Sequence, residues 1–234
     1  MSKLRFKNKK EFLDQYENEA KEYDSHRLIT FEDKKVLREQ LKVLSKIINK
    51  NNSQDILEAG CGTGRILVPL VEKGFHIEGF DLSKNMLKEL RKKNNKIKIK
   101  VGDIESIPYK DNSFDLVYSI TVLIHMLDFK DGFNDMYRVV KKNGLVVFDL
   151  PNRNSIWTRL SLFFNPNKKR TRLYTKKEIK ESLKDYDYQI TGIFSYARTF
   201  YKIPILRVIV NFLDNYLKLP VNQRTQFIVI VRKN

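Results

Sequence analysis

The stretch ILEAGCGTGRI, from Ile56 to Ile66, carries three glycines at alternate positions directly after a short apolar run that contains an acid. A strand, a glycine-rich turn and a helix in that order place backbone N–H groups around a ligand, which can approach closely because side chains are missing. Dinucleotide-binding proteins use G-x-G-x-x-G, which would need glycine where this chain has Arg65. The loop favours another nucleotide-like ligand, with a tight turn that binds nothing as the alternative.

Three acids accompany this loop at the ends of predicted strands. Glu58 precedes the glycines and can hold an ammonium group, and Asp81 ends the second predicted strand, where a carboxylate can accept hydrogen bonds from two ribose hydroxyls. Asp103 ends the third predicted strand after a glycine, within reach of an adenine amino group. Open α/β sheets bind ligands at the carboxyl ends of their strands. Any one acid would be a solvated loop residue, but three on consecutive strands predict a nucleoside with an amino group.

Alternating strand and helix patterns must position these residues. Apolar residues at three- and four-residue spacing predict helices between residues 9 and 50, and shorter apolar runs that alternate with helices predict a mainly parallel sheet covered on both faces. The predicted strands are Asp55–Ala59, Phe75–Phe80, Ile97–Val101, Phe114–Ile120, Leu145–Leu150, Tyr188–Phe200 and Thr225–Val231, and the predicted helices after residue 53 are Ile66–Lys73, one capped by Ser83, Phe129–Lys141 with a stop at Asn143-Gly144, and one capped by Thr175.

Composition bounds the class of protein. The 234 residues suit one domain with an added cap, and 41% hydrophobic with 31% charged residues is typical of a globular chain. Cys61 is the only cysteine, so an internal disulfide is excluded, and no Cys/His cluster predicts a metal site. The charged N-terminus lacks the apolar core of a signal peptide, and no uncharged apolar run is long enough for a membrane span, so the expected location is the cytoplasm.

The sequence resembles the class I S-adenosylmethionine-dependent methyltransferases. The resemblance lies in the glycine loop and in the segments GFDLS, GDIESIPYKDNSFDLVYS and HMLDFKDGFNDMYRVVKKNGLVVFDLPN. The resemblance covers about residues 53–151 and is nearest to the small-molecule branch that includes ubiquinone- and menaquinone-biosynthesis enzymes. It implies a Rossmann-like fold with seven strands, the last antiparallel, in one domain: N-terminal helices (1–52), a cofactor-binding core (53–151), and last strands with a helical substrate cap (152–234). Asn143 stands where relatives usually have proline, in a structural turn.

The resemblance also implies S-adenosyl-L-methionine as cofactor, with S-adenosyl-L-homocysteine as product. The glycine loop would hold the methionine end, the second-strand acid the ribose, and the third-strand acid the adenine. The N-terminal helices often add contacts. The residues carried over are Glu58, Gly60, Cys61, Gly62, Gly64, Asp81, Leu82, Asp103, Ile104, Ser119 and Ile120, with Tyr23 and Arg27 from the N-terminal helices.

Methyl transfer from a sulfonium is a direct displacement, which needs alignment, desolvation and, for some oxygen or nitrogen acceptors, removal of a proton. His125, just past the fourth predicted strand, is a candidate base, since imidazole titrates near pH 6.5; a structural or cofactor-side role is the alternative. Asp149 is a second candidate that faces the substrate, or else a strand-end acid. No N-P-P-Y-like motif follows the fourth strand, which disfavours methylation of amino groups on DNA adenine or protein glutamine.

The last third of the chain should choose the methyl acceptor. Residues 151–234 hold 17 Lys and Arg and five Asp and Glu, which gives this part a net charge of +12. The whole chain has a net charge of +17, so most of the positive excess lies here. The segments 152–175 and 201–222 predict a cap that is buried, pairs in a homodimer, covers an apolar or lipid-linked acceptor, or rests on a membrane interface. The basic residues would meet phosphate or an anionic membrane surface. The alternative is an RNA methyltransferase that uses this basic face; the chain would be a monomer or a homodimer.

Overall fold

The computed structural model describes residues 8–27, 31–164, 172–193 and 220–234. Helices and strands alternate through the middle of the chain, and the strands join into a single sheet. The helices are α1 Lys9–Glu19, α2 Tyr23–Arg27, α3 Phe31–Asn51, α4 Leu67–Glu72, α5 Lys84–Lys93, α6 Phe129–Val139, α7 Ile156–Phe164 and α8 Lys176–Ser182. The strands are β1 Ile56–Ala59, β2 Ile77–Asp81, β3 Ile99–Val101, β4 Phe114–Ser119, β5 Val140–Pro151, β6 Asp187–Ile193 and β7 Gln226–Arg232, with short 3-10 helices at Leu123–His125 and Val221–Gln223.

The seven strands lie in the order β3-β2-β1-β4-β5-β7-β6. The first five pair in parallel, and β7 runs antiparallel to both β5 and β6, which confirms the predicted sheet with its antiparallel last strand. After β3 the chain returns to the other side of β1 to form β4. This reversal creates a crevice at the carboxyl ends of β1 and β4, which is where open α/β sheets bind ligands.

Helices cover both faces of this sheet. On one face, α6 and α8 pack through Phe133 and Ile179 against Phe148 of β5. On the other face, α3, α4 and α5 pack against the sheet, with fully buried residues such as Leu67 and Leu90. Leu145–Leu150 of β5 is buried throughout and is apolar except for Asp149, as expected for a strand that is covered on both faces.

Local sequence signals explain several boundaries. The Ser83 side chain accepts a hydrogen bond from the Met86 amide and caps α5, as predicted. Thr175 and Glu178 form a reciprocal capping box at the start of α8, which confirms the predicted cap.

Other boundaries differ from the prediction. The helix predicted to continue to Lys141 and stop at Asn143-Gly144 ends at Val139, and β5 begins at once. Asn143 lies inside this extended segment with a φ of 64°, and its amide donates to the carbonyl of Lys233, so tertiary pairing overrides the helical pattern here. The predicted strand Tyr188–Phe200 is a strand only as far as Ile193 within the described residues, and most of the predicted cap segment 201–222 lies outside them.

Candidate functional site

The glycine loop between β1 and α4 needs glycine at all three positions, for two different reasons. Gly60, Gly62 and Gly64 have φ values of 78°, 53° and 79°, in the left-handed region where a side chain is strained. A Cβ on Gly60 would lie 2.5 Å from Val122, and one on Gly64 would lie 2.8 Å from Val68, so these two positions allow close packing. A Cβ on Gly62 would meet no atom closer than 3.9 Å, so at the middle position only the left-handed φ requires glycine.

Asp81 joins the end of β2 to this loop. Its carboxylate accepts hydrogen bonds from the amides of Gly62, at 2.7 Å, and Ser83, at 2.9 Å. Burial raises the pKa of this carboxyl group, and the bonds from the amides oppose the increase. Asp81 thus fixes the position of the middle glycine and lies where a ligand with paired hydroxyls would meet a hydrogen-bond acceptor.

Glu58 is the second acid beside the loop, and it is almost fully buried on β1. The Tyr118 hydroxyl on neighbouring β4 donates a 3.0 Å hydrogen bond to Glu58 Oε2. Burial raises the pKa of Glu58 to about 8, while the hydrogen bond from Tyr118 and the charge of Arg65 oppose the increase. The carboxyl group is therefore protonated at neutral pH unless a cation comes next to it.

A cavity of about 370 Å³ lies at these strand ends, within the size range of ligand sites in proteins. Most of the predicted cofactor residues line it, and His125 does too. Four predicted residues are not part of its lining: Gly64, Ser119, Asp149 and Arg27. Those that line it are Tyr23, Glu58, Gly60, Cys61, Gly62, Asp81, Leu82, Asp103, Ile104, Ile120 and His125.

The four residues outside the lining have structural contacts. Gly64 packs against α4 and α5, as described above, and the fully buried Ser119 hydroxyl donates to the carbonyl of Ala59 on β1. The Arg27 guanidinium lies over the ring of Tyr23, with its carbon 5.2 Å from the ring centre. Asp149 is completely buried, and one carboxylate oxygen accepts from the amide of Thr121. The expectation that Asp149 faces the substrate therefore does not fit its position on β5.

Helix α1 forms a roof over the cavity. The resemblance implied contacts from the N-terminal helices through Tyr23 and Arg27, but named no residue of α1. Phe12, Leu13 and Tyr16 line the cavity from this helix. Lys9 forms ion pairs with Asp103 and, at 2.7 Å, with Glu105, in the loop after β3. The apolar residues at three- and four-residue spacing along α1 predict that one face of this helix is buried. The spacing does not predict which part of the protein that face packs against.

His125 and Tyr16 meet inside the cavity. The Tyr16 hydroxyl lies 3.1 Å from His125 Nε2, and the ring of Phe12 lies 5.2 Å from the imidazole, centre to centre. His125 belongs to the short 3-10 helix after β4, so the roof helix and the sheet edge each supply one partner. A histidine that contacts a tyrosine hydroxyl beside an open cavity can exchange a proton with a bound ligand.

Residues 8–27, 31–164, 172–193 and 220–234 contain no cluster of His, Cys, Asp and Glu that could hold a metal ion. Burial raises the pKa of the Cys61 thiol well above its usual value, so this loop cysteine is a neutral packing residue. In the same ranges, no helix has both the length and the apolar character that a bilayer crossing requires.

Comparison with known proteins agrees with this geometry. Residues 57–148 match the family described as a methyltransferase domain. Demethylmenaquinone methyltransferase of Staphylococcus aureus is 33% identical over 147 residues, 60% of each chain. Malonyl-[acyl-carrier protein] O-methyltransferase of Salmonella typhimurium is 33% identical over 108 residues, 44% of this chain and 43% of that protein. The alignments thus span less than two thirds of these curated relatives.

The fold match extends further than the sequence match. The structure of magnesium protoporphyrin IX methyltransferase from Synechocystis PCC 6803, with bound SAH, has a TM-score of 0.70 and covers 97% of this chain and 100% of that one at 15% identity. The sheet order and the glycine loop define a Rossmann-like class I methyltransferase fold. Over residues 57–148 the chain is similar to the methyltransferase domain family, and its curated relatives include an enzyme named for demethylmenaquinone.

Proposed function

We propose that this protein transfers a methyl group from S-adenosylmethionine to a small-molecule acceptor. The observation that carries the proposal is a cavity of about 370 Å³ lined by Gly62 together with the buried carboxyl group of Glu58 and the half-buried one of Asp81. An amino acid joined to a nucleoside has the matching groups: an ammonium, a carboxylate and two ribose hydroxyls. S-adenosyl-L-methionine has this composition, and the residues fit it.

Each part of the cofactor has residues to hold it. Glu58 would accept from the ammonium group, the loop amides around Gly62 would bind the carboxylate, and Asp81 would accept from the ribose. Asp103 and Ile104 line the same cavity after β3 and would contact the adenine. When bound, the cofactor supplies an electrophilic methyl group on a sulfonium.

The chain itself contributes alignment, exclusion of water and a proton acceptor. Helix α1 covers the cavity through Phe12 and Tyr16, so a bound acceptor is held away from bulk water. His125 is the group that would take a proton from an oxygen or nitrogen acceptor, with the Tyr16 hydroxyl hydrogen-bonded to Nε2 to orient the imidazole.

The mouth of the cavity favours an amphiphilic acceptor. Met126 and Leu127 line it, and Leu127 is 69% exposed, so the mouth presents an apolar side chain to an entering acceptor. Arg172 also lines it, donates to the carbonyl of Leu127 and adds a positive charge. An acceptor with an apolar body and a polar or anionic group meets both features, and the relatives named for demethylmenaquinone and for malonyl-[acyl-carrier protein] support this class.

A transfer assay tests the proposal. The purified chain is incubated with methyl-labelled S-adenosylmethionine and, separately, with demethylmenaquinone, malonyl-[acyl-carrier protein], an extract of small metabolites and lipids, or generic RNA. We expect label in a small or lipid-linked product, lost in Asp81→Ala and retained in Asp185→Ala, an exposed acid in the turn before β6. Label in RNA alone would contradict the small-molecule assignment, and label in none of them would contradict the activity.

A binding assay addresses the basic last third of the chain. We propose peripheral contact with anionic lipid, because much of the positive charge lies in residues 151–234. Binding to anionic liposomes that falls as salt is raised would agree with this. Steeply salt-dependent binding to RNA with none to liposomes would instead favour the RNA alternative, which the comparisons do not support.

A further inference from the structure

Thr121, at the exit of β4, has a backbone conformation that its side chain disfavours. Its φ is 64°, in the left-handed region, and a β-branched residue there is strained. Such strain persists only when the surrounding structure enforces it, and it is concentrated at ligand sites. Thr121 also lines the cavity, so its conformation affects the shape of the candidate site.

Asp149 supplies the contact that holds Thr121. Its Oδ1 accepts a hydrogen bond from the Thr121 amide at 2.6 Å, from the middle of the sheet on β5. The Asp149 side chain is completely buried, and its Oδ2 has no hydrogen-bond partner among the described residues. Burial of a carboxylate that makes so few bonds is costly, and an apolar residue at this position of β5 would fit the buried surroundings better.

The contact between Asp149 and Thr121 affects the position of Val122, the next residue in the chain. Val122 follows Thr121 and packs on the glycine loop so closely that a Cβ at Gly60 would lie 2.5 Å from its Cγ2 atom. Ile120, Thr121 and Val122 therefore form a wall of the cavity that touches the loop directly. Any other backbone conformation at Thr121 would move Val122 relative to Gly60.

We infer that Asp149 is a positioning residue for cofactor binding, which acts without touching the ligand. Its carboxylate holds Thr121 in the left-handed conformation, and Thr121 in turn places Val122 against Gly60, so that the wall and the glycine loop keep a fixed separation. This role rests on the proposed function, since it assigns the cavity to S-adenosylmethionine. It replaces the expected contact between Asp149 and the acceptor with an indirect role at the cofactor end.

Calorimetric binding of S-adenosylhomocysteine tests the inference with a set of variants. Asp149→Leu removes the acceptor at similar volume, and we expect about tenfold weaker binding, in line with the cost of one strained residue. Asp149→Asn keeps an oxygen that can accept from Thr121 and should bind within about threefold of wild type. In the Asp149→Leu background, Thr121→Gly should restore affinity to within about threefold of Thr121→Gly alone, because glycine adopts a positive φ without strain.

The rescue separates positioning from general loss of stability. If Asp149→Leu binds like wild type, or if it binds weakly and Thr121→Gly does not restore affinity, the inference is wrong. If Asp149→Leu does not fold, as judged by circular dichroism, Asp149→Ala takes its place in the same comparison.

A second measurement does not depend on any ligand. The Thr121 amide, followed by hydrogen exchange in NMR spectra, should be protected in wild type and in Asp149→Asn and should exchange much faster in Asp149→Leu. If wild type binds no S-adenosylhomocysteine, the proposed function fails, and the assignment of Asp149 to cofactor binding fails with it, whatever the exchange shows. If wild type binds S-adenosylhomocysteine but its Thr121 amide exchanges fast, the inference about Asp149 is wrong and the proposed function still stands.

Discussion

The hydroxyl of Tyr16 on α1 lies 3.1 Å from Nε2 of His125, in the 3-10 helix after β4. This contact joins residues 109 positions apart and closes the cavity between the roof helix and the edge of the sheet. It also means that α1 contributes to the orientation of the candidate base. We therefore expect a change in this contact to affect any proton removal by His125.

Removing the Tyr16 hydroxyl tests this coupling. Tyr16→Phe keeps the ring and its packing against Phe12 but leaves Nε2 of His125 without this partner. With a methyl acceptor from the transfer assay, we expect kcat to fall about tenfold or more, while the Kd for S-adenosylhomocysteine changes by less than about threefold. Tyr188→Phe, on edge strand β6, is the matched control. An unchanged kcat in Tyr16→Phe would argue for a purely structural histidine.

Cofactor binding should release a proton from Glu58. The pKa of this buried carboxyl group is raised to about 8, so at pH 7 it is mostly protonated before binding. A cationic ammonium beside it favours the carboxylate and lowers that pKa, so binding at pH 7 should release about one proton, and affinity should rise with pH up to about 8. Calorimetry in buffers of different ionisation enthalpy measures this number.

Glu58→Gln provides the comparison for proton release. Glutamine cannot titrate, so this variant should release close to no proton and show a flat affinity between pH 6 and 8. Proton release that is the same in both proteins would assign the titration to another group.

Glu17 should stabilise the packing of helix α1 over the cavity. Its carboxylate accepts from the amides of Lys84, at 2.7 Å, and Asn85, at 3.1 Å, at the N-terminus of α5. Glu17→Ala should increase amide exchange across α1 and speed release of S-adenosylhomocysteine severalfold, with a smaller effect on association. Asp14→Asn, an exposed acid on the same helix, is the control. If α1 exchanges at the same rate in Glu17→Ala and wild type, these contacts do not hold the roof.

The residues around the glycine loop were predictable because their positions depend on local chain geometry. Once β1, β2 and β3 are parallel neighbours, the residues at their carboxyl ends, Glu58, Asp81 and Asp103, must meet at one edge. The three glycines were recognisable for the same reason, since glycine adopts those backbone angles without strain. The structure adds that Gly60 and Gly62 line the cavity, while Gly64 serves packing against Val68.

The contacts made by α1 were not predictable, because they join distant parts of the chain. Tyr16 and Lys9 lie on a helix whose pattern indicates burial, but no local rule says that Tyr16 meets His125 or that Lys9 pairs with Asp103. Asp149 failed as a substrate-facing candidate for a related reason. A position near a strand end suggests exposure to the site, whereas β5 is buried on both faces here and the Asp149 side chain bonds to the Thr121 amide.

Cofactor binding by wild type and Asp81→Ala is the most direct test of the central claim. Asp81 accepts from Gly62 and Ser83, so alanine removes both the predicted ribose contact and the bond that fixes the middle glycine. Calorimetry with S-adenosylhomocysteine should show one site in wild type and at least about tenfold weaker binding in Asp81→Ala, with Asp185→Ala unchanged. No binding by wild type, or equal binding by Asp81→Ala, would contradict the assignment of this cavity to S-adenosylmethionine.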